Sequence, residues 1–204
     1  MTRLLHLGDL EIALPLGAAL GAWLMAAGAW RIALRWGGCF GAALLLVGAS
    51  KVAHLGWGTD FSSIAFQAVS GHATVVAALY PFAAVVLLAR RGPGAVRWTL
   101  TAGLLAAAAF AILLVASGEH SAAEAASGWL LGAAVSLAGI TGMVAAVDVQ
   151  RARVAPAQWW PLPVFVLAAW LMQSAHVGYW MIRLALALSG NSRPHAWDDW
   201  GACT

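Results

Sequence analysis

The sequence predicts an all-α fold, a polytopic membrane protein whose six transmembrane helices form one bundle and take up the chain, 1–204, as a single domain. Three observations carry this. Of 204 residues 62% are hydrophobic and 9% are charged, against about a quarter charged in ordinary soluble chains, so the polar groups needed to coat a water-facing surface are missing. Apolar blocks of spanning length recur from end to end, and in a bilayer core a helix satisfies its own backbone polar groups without water. The breaks between blocks hold most of the charge and the turn residues. Disorder, a coiled coil and a disulfide-stapled scaffold are excluded by the same composition, which offers only Cys39 and Cys203.

The first block, 10–30, comes after Asp9 and includes Glu11, acids where a cleaved leader would carry a basic flank, so it reads as a retained span. The second, 36–57, comes after Arg31 and Arg35 and stops at Trp57-Gly58-Thr59-Asp60. The third, 71–89, opens on Ser70-Gly71-His72 and ends at Arg90-Arg91-Gly92-Pro93-Gly94. The fourth, 95–117, ends at Ser117-Gly118-Glu119. The fifth, 121–147, is followed by a polar stretch from Asp148, and the sixth, 161–188, by the tail Asn191 to Thr204. Small residues throughout let membrane helices approach closely, and no linker is long enough to divide the chain into domains.

An even number of spans puts both termini on one side. Arg31, Arg35, Arg90, Arg91, Arg97, Arg151 and Arg153 fall on one face of the bilayer, against Arg3, Lys51, Arg183 and Arg193 on the other, and all the acids except Asp148 accompany the second group. The positive-inside rule makes the first face cytoplasmic and places the termini outside, as in a bacterial inner membrane. Trp23, Trp30, Trp36, Trp57, Trp98, Trp129, Trp159 and Trp160 stand at or near predicted span ends and read as an interfacial belt. Cys39 and Cys203 lie about a bilayer apart on this topology and do not pair.

Ionisable groups in or beside spans are expensive and ask for a reason. Lys51 and His54 fall near the outer end of the second span, and Lys51 is the only lysine in a chain that otherwise uses arginine. Ser70-Gly71-His72 reads as a helix start with Ser70 as cap, a place where free amides and the helix dipole suit phosphate. His120 precedes Glu124 by four residues, so the spacing predicts both side chains on one helical face, the carboxylate holding the imidazole in one tautomer. Gln173, His176, Tyr179 and Arg183 run along the sixth block, and His176, Tyr179 or Trp180, and Arg183 share a face that is expected to turn inward. A fixed cation, two helix starts and two histidines suit phosphoryl transfer through a covalent intermediate.

From Lys51 to Gly132 the chain resembles the type 2 phosphatidic acid phosphatase superfamily, membrane lipid phosphatases with a six-helix core. That family carries a Lys followed seven residues later by Arg-Pro, then Pro-Ser-Gly-His, then Ser-Arg with a His six residues after the Arg and an Asp four beyond. Here Lys51, Ser70-Gly71-His72, His120 and Glu124 occupy matching positions, and Gly128-Trp129-Leu130-Leu131-Gly132 is similar to the family's segment just after the third signature. The resemblance implies that Lys51, Ser70 and Gly71 bind phosphate, His72 is the general acid, His120 becomes phosphorylated and Glu124 orients it. Three positions depart: Gly58 stands for the first signature's Arg, Val69 for Pro and Leu114 for the third signature's Arg. Arg183 or His54 is then expected to supply the missing cationic contact.

The resemblance implies a lipid phosphate or pyrophosphate as substrate, with carrier-lipid pyrophosphate, phosphatidic acid and phosphatidylglycerol phosphate all fitting. No metal is expected, because the candidate site has a lysine and no clustered carboxylates; no cofactor and no nucleic-acid partner are expected either, and the oligomeric state is not readable. Two rivals remain at this level: a non-catalytic relative that binds a phosphate-bearing lipid or a membrane partner, and a membrane cytochrome ligating haem through His54, His72, His120 or His176.

Overall fold

The structure, a computed structural model, describes residues 5–88, 92–145, 159 and 161–195, with 142–145 as backbone alone. Arg3, Arg90, Arg91, Asp148, Arg151, Arg153, Trp160, Trp197, Asp198, Asp199, Trp200 and Cys203, on which part of the sequence reading rests, lie outside the described residues. The helices are α1 Leu10–Ala26, α2 Trp30–Trp57, α3 Gly71–Leu88, α4 Pro93–Ala116, α5 Ala122–Ala145, α6 Pro161–Ala175 and α7 Val177–Ser189, with single 3₁₀ turns at His6–Gly8 and Ser62–Ile64.

By length and composition α2, α3, α4 and α5 are each able to cross a membrane, and α6 with α7 forms a fifth candidate span bent by 50°. The sequence predicts six. The difference lies at α1, which is apolar but has 17 residues. Gly28, at φ +77°, and Ala29 turn the chain so tightly that α2 begins at Trp30, six positions ahead of the hydropathy boundary at 36. Arg31 and Arg35 therefore belong to α2. In the sixth block His176 adopts a left-handed conformation (φ +42°), and its Nδ1 lies 2.9 Å from the Ser174 carbonyl oxygen; this breaks the predicted helix in two.

α3 is the most enclosed helix and packs against both α4 and α5. Its contact with α5 is made by small residues. A Cβ at Gly128 would collide with the Ser70 carbonyl oxygen, and one at Gly132 with that of Thr74, so the two backbones touch where any side chain would hold them apart. One turn on, Ser136 is fully buried and donates to the Ala77 and Ala78 carbonyls at 2.7 and 3.1 Å. Further along, Trp36 of α2 stacks between Phe40 and Phe82, with centroids 5.1 and 4.8 Å away, and donates Nε1–H to the Ala78 carbonyl. Trp36 is 1% exposed, so it is a core residue and not part of an interfacial belt. The earlier start of α2 carries it inward. Trp30, Trp57, Trp98 and Trp159 are exposed and keep the belt assignment open to them.

α1 packs against α6 and α2, and α7 packs against α2 through Ala185, which sits on Gly56. Beyond α7, Asn191 donates to the Gly56 carbonyl and the His195 amide to that of Leu55, completing the last turn of α2. Leu45, Leu105, Ile112 and Val166 point outward, the inverse of a soluble surface.

Candidate functional site

The site forms where the start of α3 meets the start of α5. α4 ends in a Schellman turn: Gly118 at φ +79°, its N–H on the Val115 carbonyl and the Glu119 N–H on that of Leu114. α5 begins with a capping box, in which Ser121 Oγ accepts from the Glu124 amide at 3.3 Å and Glu124 Oε2 accepts from the Ser121 amide at 3.2 Å. His120 is suspended between the two motifs, before α5 rather than on it. The expected His120–Glu124 contact is present, Nδ1 to Oε2 at 3.2 Å, but the cap creates it and not a shared helical face. Because a carboxylate accepts, Nδ1 carries a proton, which leaves Nε2 as the nitrogen with the lone pair in the neutral ring.

Glu124 also reaches across to the loop before α3. Oε1 accepts from the amides of Gln67 at 2.9 Å and Ala68 at 3.4 Å, while the Glu124 carbonyl accepts from the Ser70 amide at 3.2 Å. At 3% exposure, one side chain ties the α2–α3 loop, the α4–α5 turn and His120 together. Ser70 caps α3 as expected, its Oγ accepting from the Ala73 amide at 3.3 Å. Its backbone donor is used up as well. Ser70 is fully buried with its amide on Glu124, so the expectation that it binds phosphate is not met in this arrangement. Gly71 is buried beside Val47 at the helix start.

His72, in the first turn of α3, has its ring centroid 6.0 Å from that of His120. Its Nε2 lies 3.0 Å from Asp9 Oδ1, and Asp9 Oδ2 lies 2.8 Å from His6 Nδ1. Lys51 is within electrostatic reach of the His72 ring. A cavity of about 330 Å³ opens beside this cluster, with Asp60, Ser62, Gln67, Glu119, His120 and Glu124 in its wall. His72 and Lys51 lie outside that wall. Two imidazoles at this spacing, one held by a buried carboxylate, can touch a single phosphoryl group from two sides.

No family model, curated protein or solved structure matches this chain. The geometry shows which of the expected residues lie near one another. His72, His120 and Glu124 come together, with Lys51 within electrostatic reach of His72. Arg183 does not. It is exposed on α7, donates to the Tyr179 hydroxyl at 2.8 Å and lies over the Tyr179 ring, while α7 meets α2 through Ala185, Met181 and Ile182. The polar stripe of His176, Tyr179 and Arg183 thus faces outward, because Ala185 against Gly56 makes the closer helix contact. His54 is sealed in: its Nδ1 lies 3.1 Å from the Thr59 carbonyl oxygen, and Nε2 is buried with no partner among the described residues. With His176 exposed at the break between α6 and α7, the four histidines do not converge on one haem.

The three departures from the lipid phosphatase signatures each have a structural counterpart. Gly58 ends α2 at φ +63°, and a Cβ there would lie 2.9 Å from His195 Nδ1, so the position is closed to an arginine. Val69 donates its amide to Ser50 Oγ at 3.1 Å, which a proline cannot do. Leu114 is fully buried in the α3–α4–α5 core. Sequence reasoning missed two residues. Ser121 was legible as the first member of Ser-x-x-Glu. Asp9, far from every motif, was read only as a flanking charge.

Proposed function

We propose that the chain is an integral membrane lipid phosphatase that hydrolyses a phosphate monoester or pyrophosphate of a lipid through a phosphohistidine, its six apolar blocks each crossing the bilayer and its site facing outward. The observation that carries this reading is the approach of His72 and His120, from two separate helix starts, to 6.0 Å with His120 Nδ1 on buried Glu124. His120 Nε2 attacks phosphorus; the bond to the leaving oxygen breaks as His72 gives that oxygen its proton. Water then attacks the phosphohistidine, returning a proton to His72, and the P–N bond breaks to release inorganic phosphate. Lys51 offsets charge on the non-bridging oxygens, aided by the amides that open α3 at Gly71 and His72.

A second reading has its own support. The cavity wall holds Asp60 and Glu119 and, among the described residues, no arginine, which favours a relative that binds a lipid without turning it over. Phosphate release from a panel of lipid phosphates and pyrophosphates in detergent separates the two. His120→Ala is expected to abolish turnover, while Arg183→Ala, on the exposed face of α7, keeps it. A wild-type protein inactive on the whole panel favours the binding role.

A further inference from the structure

The site contains a carboxylate that none of the sequence motifs names. Asp9 stands at the residue preceding α1, where an aspartate ordinarily caps its helix with its side chain; here it makes no such bond. Both oxygens are turned instead to histidines, Oδ1 to His72 Nε2 at 3.0 Å and Oδ2 to His6 Nδ1 at 2.8 Å. The segment that delivers it is held in place at two further points. Tyr80 of α3 donates to the Leu7 carbonyl at 2.9 Å, and the backbone of Gly8 lies so close to His72 that a Cβ there would stand 2.8 Å from the His72 Cβ. A helix cap has been given up for a contact with the site.

We propose that Asp9 is a positioning residue for His72. Its carboxylate holds the Nε2–H, which fixes the ring plane and leaves Nδ1 as the nitrogen that passes a proton to the leaving oxygen and recovers it from water. This role rests on the phosphatase reading for its chemistry, though the hydrogen bond does not. Among the described residues, the charged and titratable groups around His72 are Asp9 and, through it, His6 from the N-terminal segment, Lys51 from α2 and His120 from the α4–α5 turn. Among the described residues Asp9 is the carboxylate in direct contact with the ring, so its removal leaves the Nε2–H without that acceptor.

The experiment compares wild type with Asp9→Asn and Asp9→Glu in detergent, by phosphate release across pH and by ¹⁵N NMR of the histidine rings, with His72 assigned from a His72→Gln sample. Asp9→Asn is expected to lower kcat by about tenfold or more with KM little changed. Asp9→Glu is expected to restore part of the rate. The His72 ring shifts from one Nε2–H tautomer in the wild type to a mixture in Asp9→Asn. An Asp9→Asn protein with wild-type kcat overturns the proposal, and so does an unchanged His72 tautomer. If the wild type releases no phosphate, the phosphatase reading fails by itself, and the ring spectra still decide whether Asp9 sets the state of His72.

Discussion

Glu124 shows how much one side chain can carry. Its two carboxylate oxygens accept from Gln67, Ala68, Ser121 and His120. In the family that the sequence resembles an aspartate stands here; in this chain the longer arm also spans to the α2–α3 loop. Glu124→Ala strands three backbone amides in a largely buried place, and each unsatisfied group costs about 1–3 kcal/mol. Discounted for partial exposure of Gln67 and Ser121, the expected loss is about 2 kcal/mol or more of unfolding free energy, read from chemical denaturation in mixed micelles. An unchanged midpoint would show that water serves these amides as well as the carboxylate does. Glu124→Asp is expected to retain the capping bond to Ser121 and lose the reach to Gln67.

At the scale of elements, the distance between His72 and His120 is set by the α3–α5 contact, and glycines set that contact. Gly128 and Gly132 lie directly on the carbonyls of Ser70 and Thr74. Gly132→Ala must therefore push the helices apart; overpacking of this kind costs about 1–3 kcal/mol. The helix starts that bear the two histidines move with it. Thermal unfolding in detergent is expected to fall for Gly132→Ala and to hold or rise for Gly37→Ala, since Gly37 of α2 has open space around it and an interior helix position favours alanine by about 0.5–1 kcal/mol. Equal midpoints for the two variants would contradict the close-packed seam.

For the whole molecule, the outward apolar side chains of α2, α4, α5 and α6 make a surface that water would not tolerate, and the polar cluster gathers at one end of the bundle, where α3 and α5 begin. The proposed orientation puts that end outside. In a Cys39→Ser, Cys203→Ser background, Thr59→Cys beside the cluster is expected to react with a membrane-impermeant maleimide in intact spheroplasts. Trp98→Cys, exposed at the start of α4, is expected to react only after lysis. The reverse pattern would turn the site to the cytoplasm and remove outer-leaflet lipids as substrates.

Composition and block length alone determined that the chain is helical and rich in spanning segments, because a bilayer leaves the backbone little other choice. The Ser70 cap and the nearness of His120 to Glu124 were legible too, since both depend on neighbours a few residues away, although the Ser121 capping box that makes the second contact went unread. Tertiary structure decided the rest. Gly28 shortened the first block to 17 residues and His176 divided the last, breaks that hydropathy averages over. Arg183 was expected inside because charge in a membrane usually turns inward, yet the contact of Gly56 with Ala185 chose the opposite face. Asp9 reached His72 from 63 residues away, a separation that no periodicity spans, because the chain before α1 folds back over the start of α3.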